Sequence, residues 1–223
     1  MNKELDKSIE IKLAEIALEH SYAYGREWDS SAKDLEQQLN KIGINNIKLF
    51  HKYKMPDNVT QADYMKKIAL YGFFADFEML NADDRWGFQT EFKNYIPDEK
   101  TRLHVIDYIK SKSKSYDEKL SDEYENIIKL NPELPNVQNK RNDVLYGAIF
   151  GFAPEEIEYY CRGRFQQNTD AALDREQELS DKIKGYGIRV GYVLAPETAK
   201  KIISVLEKKK QSVIMDKDGR EIK

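Results

Sequence analysis

Apolar side chains recur every three or four positions through most of the chain, and the rhythm changes only near the C-terminus. Ile9, Leu13, Ile16, Ala17, His20 and Tyr24 fall on one stripe that stops at Gly25. Ser31, three residues before Asp34, introduces Leu35, Leu39 and Ile42, and Gly43 is placed to close that helix in a left-handed conformation. Residues 1–43 thus read as a helical hairpin. A short branched and aromatic run, INNIKLFHKY, lies between Gly43 and Pro56 and fits a brief strand. Thr60 then caps a helix whose stripe holds Met65, Ile68, Ala69, Gly72, Phe73, Asp76, Phe77 and Leu80.

Trp86, Phe88, Phe92 and Tyr95 form a short aromatic helix that must end before Pro97. A new helix opens at DEKTRLHVIDYIK; SKSKS either interrupts it or merely exposes it, and the pattern resumes through Leu120, Tyr124, Ile127 and Ile128. NPELPN, residues 131–136, has the composition of a linker. Past it, Val144, Leu145, Ala148 and Ile149 mark a helix ended by Gly151, and Pro154 suits the first position of the next. Asn168 or Thr169 caps DAALDREQELSDKIK, which Gly185 closes. Only then does the period become two: Ile188, Val190, Tyr192 and Leu194 alternate as in a half-buried strand over 186–194. A helix over 196–210 follows, then a terminal hairpin turning at Asp218-Gly219. The expected fold is mainly α, like a helical bundle, with that small C-terminal α+β element. The expected division is a helical half at 1–130, the linker, and a second domain at 137–223.

Charge alters this picture little. Charged residues make up 34% of the chain, above the usual share of roughly 25%, and imply a large solvated surface. A net charge of -3 gives no global attraction to a polyanion, so nucleic-acid binding is not expected without a local basic patch. One cysteine, Cys161, forms no intramolecular disulfide and fits a reducing compartment. The start has no apolar core like that of a signal peptide, and no run of about 18 apolar residues occurs, so no membrane association and a cytoplasmic location are expected. The abundance of Lys, Asn, Ile and Tyr indicates an AT-rich genome, bacterial or phage.

Candidate chemistry concentrates in LYGAIFGFAPEEIEYYCRGRF and the helix after it. Glu155 and Glu158 share one helix face, as do Glu178 and Asp181, and Mg²⁺ prefers such oxygen ligands. Arg162, Arg164, Lys182 and Lys184, with Tyr159 and Tyr160, suit contact with phosphate or stacking on a base. The alternative is two solvated helix faces laced with intrahelical ion pairs. The spacing Glu-x-x-Glu, nineteen residues, then Glu-x-x-Asp is similar to the metal-binding pattern of the all-helical MazG-like nucleoside triphosphate pyrophosphatases. The resemblance spans about 27 residues and implies a magnesium site at Glu155, Glu158, Glu178 and Asp181. It breaks after Asp181, where IKGYGIRVGYVL replaces the apolar helix of that family.

The expectation is therefore a macromolecule-binding protein, with a protein partner, in a regulatory or host-interaction role and with no required cofactor. Trp86, Phe88, Phe92 and Tyr95 are its candidate contact surface. The alternatives are a Mg²⁺-dependent hydrolase using the four acids, and a weak nucleic-acid binder.

Overall fold

The computed structural model describes residues 30–75, 96–164 and 170–212, together with Lys7, Ser8, Ile11, Lys12, Glu15 and Asn94. The chain is mostly helical: α1 covers 30–41, α2 Gln61–Ala75, α3 Glu99–Leu130, α4 Arg141–Phe150, α5 Pro154–Glu158, α6 Asp170–Lys184 and α7 Pro196–Ser212. No strand occurs among the described residues, and none of their helices is long and apolar enough to cross a membrane. Ile11, Lys12 and Glu15 of the helix expected over 9–24, and Asn94 of the aromatic helix at 86–95, are helical and exposed; the rest of both, and the terminal hairpin, lie outside the described residues. Compact units form from interleaved pieces: the first joins Met1–Gly25 to Tyr53–Ile149, the second Arg26–Lys52 to Phe150–Lys223.

In the first unit α2 pairs with α3. Thr60 caps α2 through a bond from the Asp63 amide at 3.1 Å, returned by its own hydroxyl to the Asp63 carboxylate at 2.7 Å. Asp98 caps α3 by accepting from the Thr101 amide at 2.7 Å. SKSKS does not break α3, which continues unbroken for 32 residues, about 48 Å. Ile109 and Tyr116 are buried seven residues apart, two turns of one face, so the polar stretch between them keeps the helical phase while it meets water. Phe74 stacks on Tyr116 at 4.3 Å, and Val105, Tyr108 and Ile109 complete that core. The Tyr64 ring is fully buried; its hydroxyl faces the Glu123 carboxylate without closing a good hydrogen bond, and Glu123 is paired with Lys67. Gly72 lets α4 approach, with Asn142 and Tyr146 at van der Waals distance from where a Cβ would stand.

Residues 131–136, read above as a linker, lie inside this unit. Asn131 is 3% exposed, and Leu134, three residues on, is buried as well. The Asn131 carboxamide accepts from the Lys54 amide at 2.6 Å and donates to the Lys54 carbonyl at 2.8 Å and the Ile127 carbonyl at 3.0 Å. A side chain thus supplies what a neighbouring strand would supply, and residues 53–55 are tied to the end of α3.

The second unit builds its core from α1, α6, α7 and two extended segments, with Leu35, Leu39, Leu49, Ile183, Ile188, Leu194 and Ile202 at its centre. Gly43 does close α1, at φ 73°: its amide bonds to the Asn40 carbonyl at 2.9 Å and that of Ile44 to Leu39 at 2.9 Å, the Schellman pattern. Ser31 is not the cap, since the helix already includes residue 30; it lies against Gly191 instead. The strand expected in INNIKLFHKY reduces to one antiparallel bridge between Phe50 and Phe152, whose rings stack at 5.7 Å. Helix α6 ends before Gly185, but the left-handed residue is Gly187, φ 78°.

The alternation over 186–194 holds, and among the described residues no strand forms there. Ile188 and Leu194 are buried and Val190 and Tyr192 are half-buried against the core, but no strand among the described residues pairs with them. Gln38 on α1 takes the partner's place, accepting from the Arg189 amide at 2.8 Å and donating to its carbonyl at 3.2 Å. Helix α7 then begins at Pro196, as expected, and runs two residues beyond 210.

Candidate functional site

Everything the sequence marked between 154 and 184 belongs to the second unit. Ala153 is extended and Pro154 opens α5, so the missing proline amide leaves no orphan donor there. After Glu158 the backbone widens into a π-helical stretch, Tyr159–Arg164, a form found mostly as single turns and often at functional sites. Gly163 is needed in it: a Cβ there would stand 2.5 Å from the Tyr159 ring. That ring is held from outside as well, because the Tyr159 hydroxyl donates to the Glu176 carboxylate on α6. Tyr160 is half-buried and Cys161 buried.

The charged groups fall into local pairs. Arg162 meets Glu158 at 2.9 Å, Lys182 meets Glu178 at 3.3 Å and Lys184 meets Asp181 at 3.2 Å, all on exposed helix turns. Hydrogen bonds from Gln177 and then Lys184 hold the Asp181 carboxyl below its ordinary range. Glu155 is exposed. Among the described residues no group of three or more His, Cys, Asp or Glu side chains is arranged to hold a metal ion. The side chain of Arg164, and Trp86, Phe88, Phe92 and Tyr95 altogether, lie outside the described residues. One apolar side chain stands out on α6: Leu173 is 50% exposed, one turn before the Glu176 that holds Tyr159.

Beneath this surface is a group that sequence reasoning missed. Glu156, in the middle of PEEIE, is 7% exposed. Its Oε2 accepts from the Ala195 amide at 3.0 Å, and the Thr198 hydroxyl donates to the same carboxylate, so Glu156 caps α7 from another element. Burial pushes the Glu156 carboxyl up, and the charge of Glu155 adds to that. The bonds from Thr198 and Ala195 and the charge of Lys201 act oppositely without cancelling it. Tyr192 lies within reach of the Glu156 and Glu36 charges, and burial pushes its hydroxyl up. The only trace in the sequence is phase: Glu156 is three residues from Ala153 and adjacent to Ile157, both buried.

Comparison of the chain with protein-family models, with characterised proteins and with solved structures returned no match.

Proposed function

We propose that this chain acts in the cytoplasm by binding another protein, in a regulatory or host-interaction role in a bacterium or phage. The observation that supports the reading is the surface where α6 meets the π-helical turn. Leu173 stands half exposed, and one turn away Glu176 anchors Tyr159, with Tyr160 and Arg162 following in the same turn. An apolar anchor beside tyrosine and arginine is the composition that protein interfaces favour. The local ion pairs around it are exposed and are each worth well under about 1 kcal/mol, so a partner can rearrange them at small cost. Comparison of Leu173→Glu with wild type as bait tests the reading: a specific partner held by the wild-type chain should be lost.

A second reading is Mg²⁺-dependent hydrolysis of a nucleoside triphosphate by Glu155, Glu158, Glu178 and Asp181. The bond from Tyr159 to Glu176 favours it, because it joins the two elements that carry these acids. Its test is thermal stability with nucleoside triphosphates, with and without Mg²⁺. Ligand at about 100 times its dissociation constant adds about 2.7 kcal/mol. A Mg²⁺-dependent rise in Tm that Glu178→Gln abolishes would replace the first reading by the second.

A further inference from the structure

Lys184 ends α6, and the residues after it, GYGIRVG, bring the chain back against α1. The Gly185 amide bonds to the Asp181 carbonyl at 2.9 Å, that of Tyr186 to Ile183 at 3.0 Å and that of Gly187 to Lys184 at 2.8 Å, so the turn is tied to the helix before it. Ile188 is then buried in the core, and Arg189, its neighbour on extended chain, is exposed. Gln38 on α1 fixes the Arg189 backbone at both its amide and its carbonyl. Two residues on, Gly191 lies so close to α1 that a Cβ there would stand 3.2 Å from Ser31 Oγ.

These contacts frame an open cleft of about 630 Å³ whose lining belongs entirely to the second unit. Helix α1 contributes Ser30, Ser31 and Asp34, and the chain from the end of α6 contributes Lys184, Arg189 and Gly191, with Val190 as the apolar part of the wall. The charges do not balance, since a lysine and an arginine share the space with one carboxylate. Asp34 accepts from the Gln38 carboxamide at 2.9 Å, the same side chain that positions Arg189. The other bond of Lys184, to Asp181 at 3.2 Å, joins two exposed side chains three residues apart, a pair weak enough for an anion to draw the ammonium away. The volume is that of a small-molecule site, roughly 300–1,000 Å³, and is more than a bare phosphate ion fills.

We propose that this cleft binds a small phosphate monoester whose body carries hydroxyl or amino groups. The Arg189 guanidinium takes two phosphate oxygens as a fork, Lys184 meets the phosphate as a point charge, and the Ser31 hydroxyl donates to it. Asp34 accepts from a hydroxyl or amino group on the body, which rests against Val190. The same carboxylate repels a phosphate that brings no donor, so the ester binds more tightly than the inorganic ion. This site uses neither Leu173, Tyr159 and Glu176 nor any of the four acids of the magnesium reading, and its success or failure leaves both readings where they stand.

A ¹H–¹⁵N shift titration of the full chain with ribose 5-phosphate, with inorganic phosphate and with ribose, all at constant ionic strength, tests the proposal. Ribose 5-phosphate should give saturable shifts at the amides of Ser31, Lys184, Arg189 and Gly191; inorganic phosphate should shift the same amides with weaker affinity, and ribose should shift none. Arg189→Gln should weaken ribose 5-phosphate at least about tenfold, as expected for loss of hydrogen bonds to a charged group. That side chain is exposed, so an unchanged Tm is expected for the variant; if it does not fold, Lys184→Gln reads the same phosphate. Asp34→Asn should tighten inorganic phosphate and narrow its difference from the ester, and an unchanged difference overturns the role given to Asp34. Shifts that do not saturate, that fall on other amides, or that the loss of these cations leaves unaltered overturn the site.

Discussion

Replacement of Asn131 by alanine should remove much of what holds residues 53–55 to the end of α3. The carboxamide makes three hydrogen bonds, at 2.6, 2.8 and 3.0 Å, and each is worth about 1 kcal/mol net. The backbone amide of Asn131, bonded to the Ile127 and Ile128 carbonyls, is untouched by the change. The Ile127 carbonyl keeps its bond from the Asn131 amide and Lys54 is exposed, so the full penalty for burying orphaned groups does not apply. The expected loss is about 3 kcal/mol, read from urea denaturation with an unchanged slope. Hydrogen exchange at the Lys54 amide should accelerate in parallel. Asn131→Asp keeps the acceptor but turns a second oxygen toward the Lys54 and Ile127 carbonyls. At neutral pH it should be worse than alanine, and it should recover as pH falls and the carboxyl gains a hydrogen to donate. A loss below about 1 kcal/mol for Asn131→Ala would refute the claim that this side chain stands in for a strand.

Gly163→Ala places a methyl against the Tyr159 ring and should destabilise by about 1–3 kcal/mol, with Tm falling and the bond from Tyr159 to Glu176 lost. Gly43→Ala forces an L-residue into φ 73° and should cost about 1 kcal/mol in denaturant, while Gly43→Asn, which tolerates that region better, should cost less. Ile202→Ala, at a fully buried position of the second core, should cost about 2–5 kcal/mol.

How much of this was readable depends on how local each determinant is. The caps were legible because they act within one turn: Thr60 with Asp63, Gly43 after Ile42 and Pro154 at the head of α5. The pairs of Glu158 with Arg162 and Glu178 with Lys182 were legible for the same reason, as four-residue spacings on helices. The extended segment after Gly187 alternated as a strand does, but its partner is the Gln38 amide, 151 residues away. No local pattern reports such a partner. The interleaving of 26–52 with 150–223 is hidden likewise, since each piece shows only its own apolar stripe. Glu156 was hidden by its neighbours, because a carboxylate within PEEIE looks solvated until Ala195 and Thr198 arrive from the fold.

The most direct measurement of the proposed function is affinity capture from a bacterial lysate with the wild-type chain and Leu173→Glu as paired baits, quantified by mass spectrometry, with Tm confirming that both are folded. The account predicts a protein held by wild type and reduced at least about tenfold by the variant, a difference of roughly 1.4 kcal/mol or more at the interface. Equal recovery of every protein on both baits would contradict it.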